Sequence, residues 1–172
     1  MHARHLRFRI TVAALAAFAI APATAALAQF GNSRPDAGWR NYVDPRGGTS
    51  VDFPSNIFRV DAGETERGVG KLFRTEDGRA EFSIYSVENE SNDTPQSYLR
   101  NNLMIDNDMI DYRRVTGRFF VVSGIREGKV FYSRCNFRGR LHCIYLSYPR
   151  EQLRAWDRIV TRVSYSLRGE RR

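Results

Sequence analysis

The stretch "VFYSRCNFRGRLHCIYLSY", Val130 to Tyr148, decides the fold. Two β-rich runs, "VFYSRCNF" and "LHCIYLSY", flank "RGR". Gly139 takes a turn conformation at no steric cost, so the spacing predicts a hairpin centred there. That hairpin sets Phe137 opposite Leu141 and Cys135 opposite Cys143. Residues opposite each other share a face of the sheet, with Cβ atoms ~4.5–5.5 Å apart. Cys135 and Cys143 are the only cysteines of the chain.

Strand signals recur on both sides of this hairpin. "YRRVTG" and "RFFVVSGI" precede it, and "REGK" with Gly128 supplies a turn. Further upstream lie "WRNYV", "TSVDF", "GVGKLFR" and "RAEFSIYSV", with "DPRGG" and "TEDG" as turns. In "RAEFSIYSV" the residues Ala80, Phe82, Ile84 and Ser86 fall on one side. Two helical signals interrupt the strands. Thr94 is an N-cap and Pro95 an N1 residue, with Tyr98, Leu99 and Leu103 as the apolar stripe. In "PREQLRAWDRIVTRVSYSLR", Pro149 is read at N1, and Leu153, Trp156, Ile159, Val160, Val163 and Leu167 recur at helical spacing. The order is four strands, a helix, four strands and a helix. Tight turns between consecutive strands predict an α+β domain, an antiparallel sheet of about 6–8 strands packed by two helices.

The N-terminus reads as an export signal. Arg4, Arg7 and Arg9 precede an apolar run, Ile10 to Ala21, and Ala26-Leu27-Ala28 precedes Gln29. Cleavage between Ala28 and Gln29 is expected. The run is interrupted by Pro22 and Thr24 and is shorter than the ~20 apolar residues a membrane span requires, so no transmembrane anchor is expected after cleavage. The expected organisation is a signal peptide over 1–28, a flexible linker over 29–38, one domain over 39–168 and a basic tail over 169–172. Removing the signal lowers the formal charge from +8 to +5. All 27 basic residues except Lys71 and Lys129 are arginines, scattered along the chain. The expected arrangement for them is a solvated surface of mixed charge. The alternative is a basic surface that attracts anionic partners.

"GGTSVDFPSNIF", "EDGRAEFSIYSVEN", "RFFVVSG", "VFY", "YP" and "WDRIVTRVSYSL" occur in that order. Together they resemble a group of small exported proteins of alphaproteobacteria, over roughly residues 39–168. The arrangement is also similar to the PsbP-like fold, an antiparallel sheet sandwiched by helices. The resemblance brings no catalytic residues and implies a binding or assembly module.

Few residues offer chemistry. His142 is the only histidine beyond the signal, and no G-x-S-x-G elbow accompanies it. It is expected to be a half-exposed strand residue. Asp106, Asp108 and Asp111 lack the glycine and terminal glutamate of a calcium loop. "GVGKLF" lacks a phosphate-loop pattern and reads as a strand with close backbone approach. Phe119, Phe120, Tyr132, Tyr145 and Tyr148 are expected to fill space under a helix, a sugar-stacking platform being the alternative. No catalytic, metal or cofactor residues are assigned, and no cofactor is expected. An exported, oxidising setting favours a Cys135–Cys143 disulfide, closing a loop worth about 2.5 kcal/mol. Free or redox thiols, or a metal held with His142, are the alternatives.

The function expected is that of a periplasmic or secreted non-catalytic binding or accessory domain, not an enzyme. Its partner would be an envelope protein or a cell-wall component, with no specific nucleic acid, and nothing sets an oligomeric state. Two alternatives stand beside it. One is an arginine-rich binder of anionic envelope surfaces. The other is a small envelope hydrolase using Glu64, Glu66, Glu76, Asp77, Glu81 or Glu88.

Overall fold

The computed structural model describes residues 38–102 and 107–169. The expected signal peptide with its cut at Ala28–Gln29, the linker up to residue 37, Leu103, Asp106 and the tail over 170–172 lie outside the described residues. Nine strands and two α-helices are found within them: β1 Trp39–Val43, β2 Ser50–Pro54, β3 Val60–Glu64, β4 Val69–Arg74, β5 Glu81–Val87, α1 Pro95–Asn102, β6 Ile110–Val115, β7 Phe119–Arg126, β8 Lys129–Arg138, β9 Arg140–Pro149 and α2 Leu153–Ser166. β1 and β2 pair as a ribbon, and the other strands form one antiparallel sheet in the order β3-β4-β5-β9-β8-β7-β6. The class is α+β, as expected.

Local chemistry explains the order. β3, β4 and β5 form one meander, and β6 to β9 form a second. The β8–β9 hairpin has the expected register, with Phe137 opposite Leu141 and Cys135 opposite Cys143. Gly139 turns it at φ 76°. In β4, a Cβ on Gly70 would lie 2.0 Å from the Ile84 carbonyl oxygen, so only glycine allows that approach. Thr94 caps α1, its hydroxyl accepting from the Ser97 N–H at 3.1 Å. β3 carries no strand signal. Its residues are exposed or half-buried, Gly63 sits at φ 92°, and its pairing with β4 is bulged.

Alternation splits the sheet into two faces. On one, Phe82, Ile84, Ile144 and Leu146 pack under α2 and the β1–β2 ribbon, against Val51, Phe53, Trp156 and Val163. Trp156 stacks on Tyr148 with ring centroids 4.8 Å apart. Arg162 of α2 donates to Asp52 at 3.0 Å and lies over the Trp39 ring, tying helix to ribbon. The other face carries Tyr85, Phe120, Val122, Phe131, Cys135 and Cys143, partly covered by Leu99 and Tyr98 of α1.

The C-terminal helix differs from expectation at both ends. Pro149 closes β9, a short 3-10 turn follows, and α2 starts at Leu153, which is 52% exposed. Helix ends at Ser166 because Arg168 pairs with Ser50 in both backbone directions. Leu167 is thus buried from an extended segment rather than from the helix.

Cys135 and Cys143 are joined by a disulfide, with Cα atoms 4.1 Å apart. Reducing this bond restores the loop entropy of the unfolded chain. The expected outcome is a melting temperature lower by about 5–10 °C in a thermal melt with reductant. Burial also pushes the Tyr42, Tyr85 and Tyr148 hydroxyls from 10.0 up to about 12. A folded-state pKa above the unfolded one contributes stability that is complete below pH 10 and lost as pH rises toward 12. Urea midpoints should therefore fall as pH rises from 10 toward 12.

Candidate binding surface

α2 packs chiefly on β2, β9 and β8, and covers the same face of β6 and β7 less. The register decides which side chains stand there. Arg114 of β6 is opposite Val121 of β7, which is opposite Arg134 of β8, so both arginines project from this face. Phe119 is opposite Asn136 and joins the same face. Its ring lies 5.6 Å from the Arg114 guanidinium and 4.7 Å from that of Arg134. Arg138 follows Asn136 at the strand period, Arg118 precedes Phe119, and Arg168 arrives from the segment after α2.

Arg134 is the most constrained of these residues. Its Nε donates to Asn136 Oδ1 and its Nη1 to Ser164 Oγ, each at 3.1 Å. Asn136 in turn donates to the Leu167 carbonyl at 3.1 Å. Burial lowers the Arg134 pKa from its ordinary value. Arg168 and Arg114 push it the same way through like charge, against Tyr132 and Tyr165. Among the described residues no carboxylate pairs with Arg114, Arg118, Arg134, Arg138 or Arg168. The ion pairs gather elsewhere, as in Arg46–Glu64, Arg59–Glu76, Lys71–Asp61 and Arg74–Glu81. In this region the strand register brings together arginines that the sequence scatters. The signal was present as the period-two spacing of Arg134, Asn136 and Arg138.

The surface is concave. One depression of about 420 Å³ is lined by Arg118, Phe119, Arg134 and Asn136. A second, of about 400 Å³, shares Asn136 and Arg138 with it and adds Arg168 and Gly169. Beyond Arg134 a third, of about 390 Å³, runs between α2 and the sheet past Tyr112, Ser123, Tyr132 and Tyr165.

A larger groove, about 650 Å³, lies on the opposite face, between β3–β5 and α1. Thr65, Ser83, Tyr85 and Tyr98 line it, with Glu64, Glu66 and Glu81 around it. Glu64 and Glu81 are each held by an arginine, and Arg67 lies 3.6 Å from the Tyr145 ring centroid. Glu76, Asp77 and Glu88 pair elsewhere, with Arg59, Arg79 and Arg140.

The remaining candidates do not converge. Asp108 lies in a 3-10 turn and Asp111 in β6. Among the described residues no three His, Cys, Asp or Glu side chains gather as a metal set. His142 is 2% exposed, not half-exposed, because the C-terminal segment closes over it. A Cβ on Gly169 would lie 2.1 Å from its ring. The ring Nδ1 is 2.9 Å from the Thr49 hydroxyl, which also donates to the Tyr85 carbonyl. Phe120 and Tyr148 are buried under α1 and α2, while Phe119, Tyr132 and Tyr145 are half-buried.

No family model matches the chain, and no curated protein matches it. Among solved structures it is similar to cyanobacterial PsbP (CyanoP) from Synechocystis sp. PCC 6803, with a TM-score of 0.59 at 16% identity. The match covers 78% of this chain and 94% of that one. The fold is therefore PsbP-like, a sheet sandwiched between α1 on one face and α2 with the ribbon on the other.

A structural role for the Thr49–His142 contact is open to test. Thr49→Val keeps shape but leaves the Tyr85 carbonyl and the ring nitrogen without their hydroxyl partner. It should cost about 1–3 kcal/mol in urea unfolding, whereas an unchanged midpoint would remove the contact from the core of the fold.

Proposed function

We propose that this chain is a non-catalytic binding or accessory domain working outside the cytoplasm, and that its partner is anionic. One observation carries the reading: Arg118, Arg134, Arg138 and Arg168 line adjoining depressions, Arg114 lies beside them over the Phe119 ring, and none of the five has a carboxylate partner among the described residues. Like charges gathered this way repel, and the cost is relieved when an anion arrives. Arginine suits the task because its planar fork grips carboxylate or phosphate through two hydrogen bonds. Arg134 is already oriented by Asn136 and Ser164, so little side-chain freedom is lost on binding.

The extracytoplasmic setting is supported by the disulfide between the only two cysteines and by the signal-like N-terminus. The PsbP-like fold supports the accessory reading, because the resemblance implies binding and assembly roles. An envelope component bearing phosphate or carboxylate is the partner this surface suits.

Binding of inorganic polyphosphate to the purified protein tests the reading. Affinity should fall steeply with added salt, since the contacts are between charges at a wet surface. Arg134→Gln with Arg168→Gln should weaken binding about tenfold or more. Arg126→Gln, at the far end of β7, should change little. Binding that ignores both salt and the paired substitution would defeat the proposal.

A further inference from the structure

We infer that the anionic partner is an acidic polysaccharide, lying across the arginine surface and along the tyrosine-lined depression beside α2. This rests on the anion-binding reading above and specifies its ligand.

Three observations favour a sugar chain over other anions. First, the basic surface continues into an aromatic one. Arg134 donates to Ser164, and Ser164 contacts the Tyr132 hydroxyl at 2.5 Å, so the two regions share a wall. The continuation carries Tyr112, 48% exposed, and Tyr165, 72% exposed. A tyrosine ring offers an apolar plane with a polar tip, which matches the C–H face and hydroxyl rim of a pyranose. Ser123 and Asn136 add hydroxyl and amide groups at the same level. A bare polyphosphate has no apolar face to lay on the rings.

Second, the surface is a run of depressions rather than a ridge. A bilayer presents a plane, and anchoring to it draws on protruding apolar side chains beside the basic ones. Here Phe119 is half-buried with a guanidinium on either hand, and the exposed large apolar side chains between β6 and the end of α2 are Tyr112, Tyr165 and Leu153, the last at the Asp157 end of the depression. A flexible or extended chain enters such a trough where a membrane surface does not.

Third, the charges are spaced. Arg114 and Arg134 stand on strands two apart, about 10 Å between backbones, and Arg138 lies a further two strand positions beyond Asn136. Such an array fits anionic groups repeating along a polymer. The carboxylate lining the tyrosine depression, Asp157, sits about two helical turns before Ser164, toward the start of α2. The chain would therefore pass Tyr112 and Tyr165 and leave the Asp157 end unfilled.

The test compares polygalacturonate, neutral dextran, polyphosphate and vesicles of phosphatidylglycerol with the same protein. Polygalacturonate should bind and dextran should not. Arg114→Gln with Arg134→Gln should weaken polygalacturonate and polyphosphate alike, by about tenfold or more. Tyr112→Ser with Tyr165→Ser should weaken polygalacturonate about fivefold while changing polyphosphate less than about twofold. Should the double tyrosine variant fold poorly, Tyr165→Ser alone should show the same asymmetry at smaller size. If the tyrosine substitutions affect both polymers equally or neither, the polysaccharide inference falls and the anion reading stands. If vesicles bind more tightly than polygalacturonate, the ligand is a lipid surface and the inference falls again. If no anion binds, both readings fall.

Discussion

The pairing of β5 with β9 is the seam on which the structure depends. β3–β4–β5 and β6–β9 are each local meanders that form from neighbouring sequence. Only the β5–β9 ladder, Glu81–Ser147 through Val87–Leu141, joins them. Its residues alternate between the two cores: Phe82 with Leu146 and Ile84 with Ile144 on one face, Tyr85 with Cys143 on the other. A slip of one residue would turn both sets inside out, so the hydrophobic pattern fixes the register. The disulfide sits in the next ladder, holding β8 to β9 within the second core. It reinforces the seam's immediate neighbour.

The seam also explains the asymmetry of cover. The chain leaves β5 at mid-sheet and must reach the far edge to begin β6, so α1 is carried across one face. α2 follows β9, which is also central, and folds back over the sheet's middle and the β1–β2 ribbon. Neither helix is placed to cover both β6 and β7 on the α2 side. The arginines without a carboxylate partner stand at the margin of that region, on β6, before β7 and on β8.

Much of this was legible in the sequence, for identifiable reasons. The β8–β9 hairpin was readable because its turn glycine and two long β-rich runs agree on one register. β5 was readable through Ala80, Phe82 and Ile84, and α1 through Thr94 and Pro95. β3 was not, because an edge strand with exposed faces and a bulge needs no apolar alternation. The full α2 face was overread because Leu153 and Leu167 fit a helical period that the helix itself does not bury. His142 was misjudged because what buries it is a segment distant in sequence, folded back through the Ser50–Arg168 pairing. The arginine surface was hidden for the same kind of reason. Its members come from β6, the turn before β7, β8 and the segment after α2, and only strand register brings them together.

That assembly bears on why the arginines are arranged as they are. A chain with this many arginines could distribute them against its carboxylates, and for some of them it does: Arg46, Arg59, Arg74 and Arg79 all meet Glu or Asp. Exposed pairs of that kind contribute little to stability, about 0–1 kcal/mol each. Leaving them out of one surface therefore costs the fold little, and that surface stays charged. Holding Arg134 half-buried is a different matter, since burial and two like charges work against its ionised form. The Asn136, Ser164 and Phe119 contacts offset this and fix the guanidinium in place. A residue so constrained, on β8 at the margin of α2, presents its guanidinium in one fixed direction.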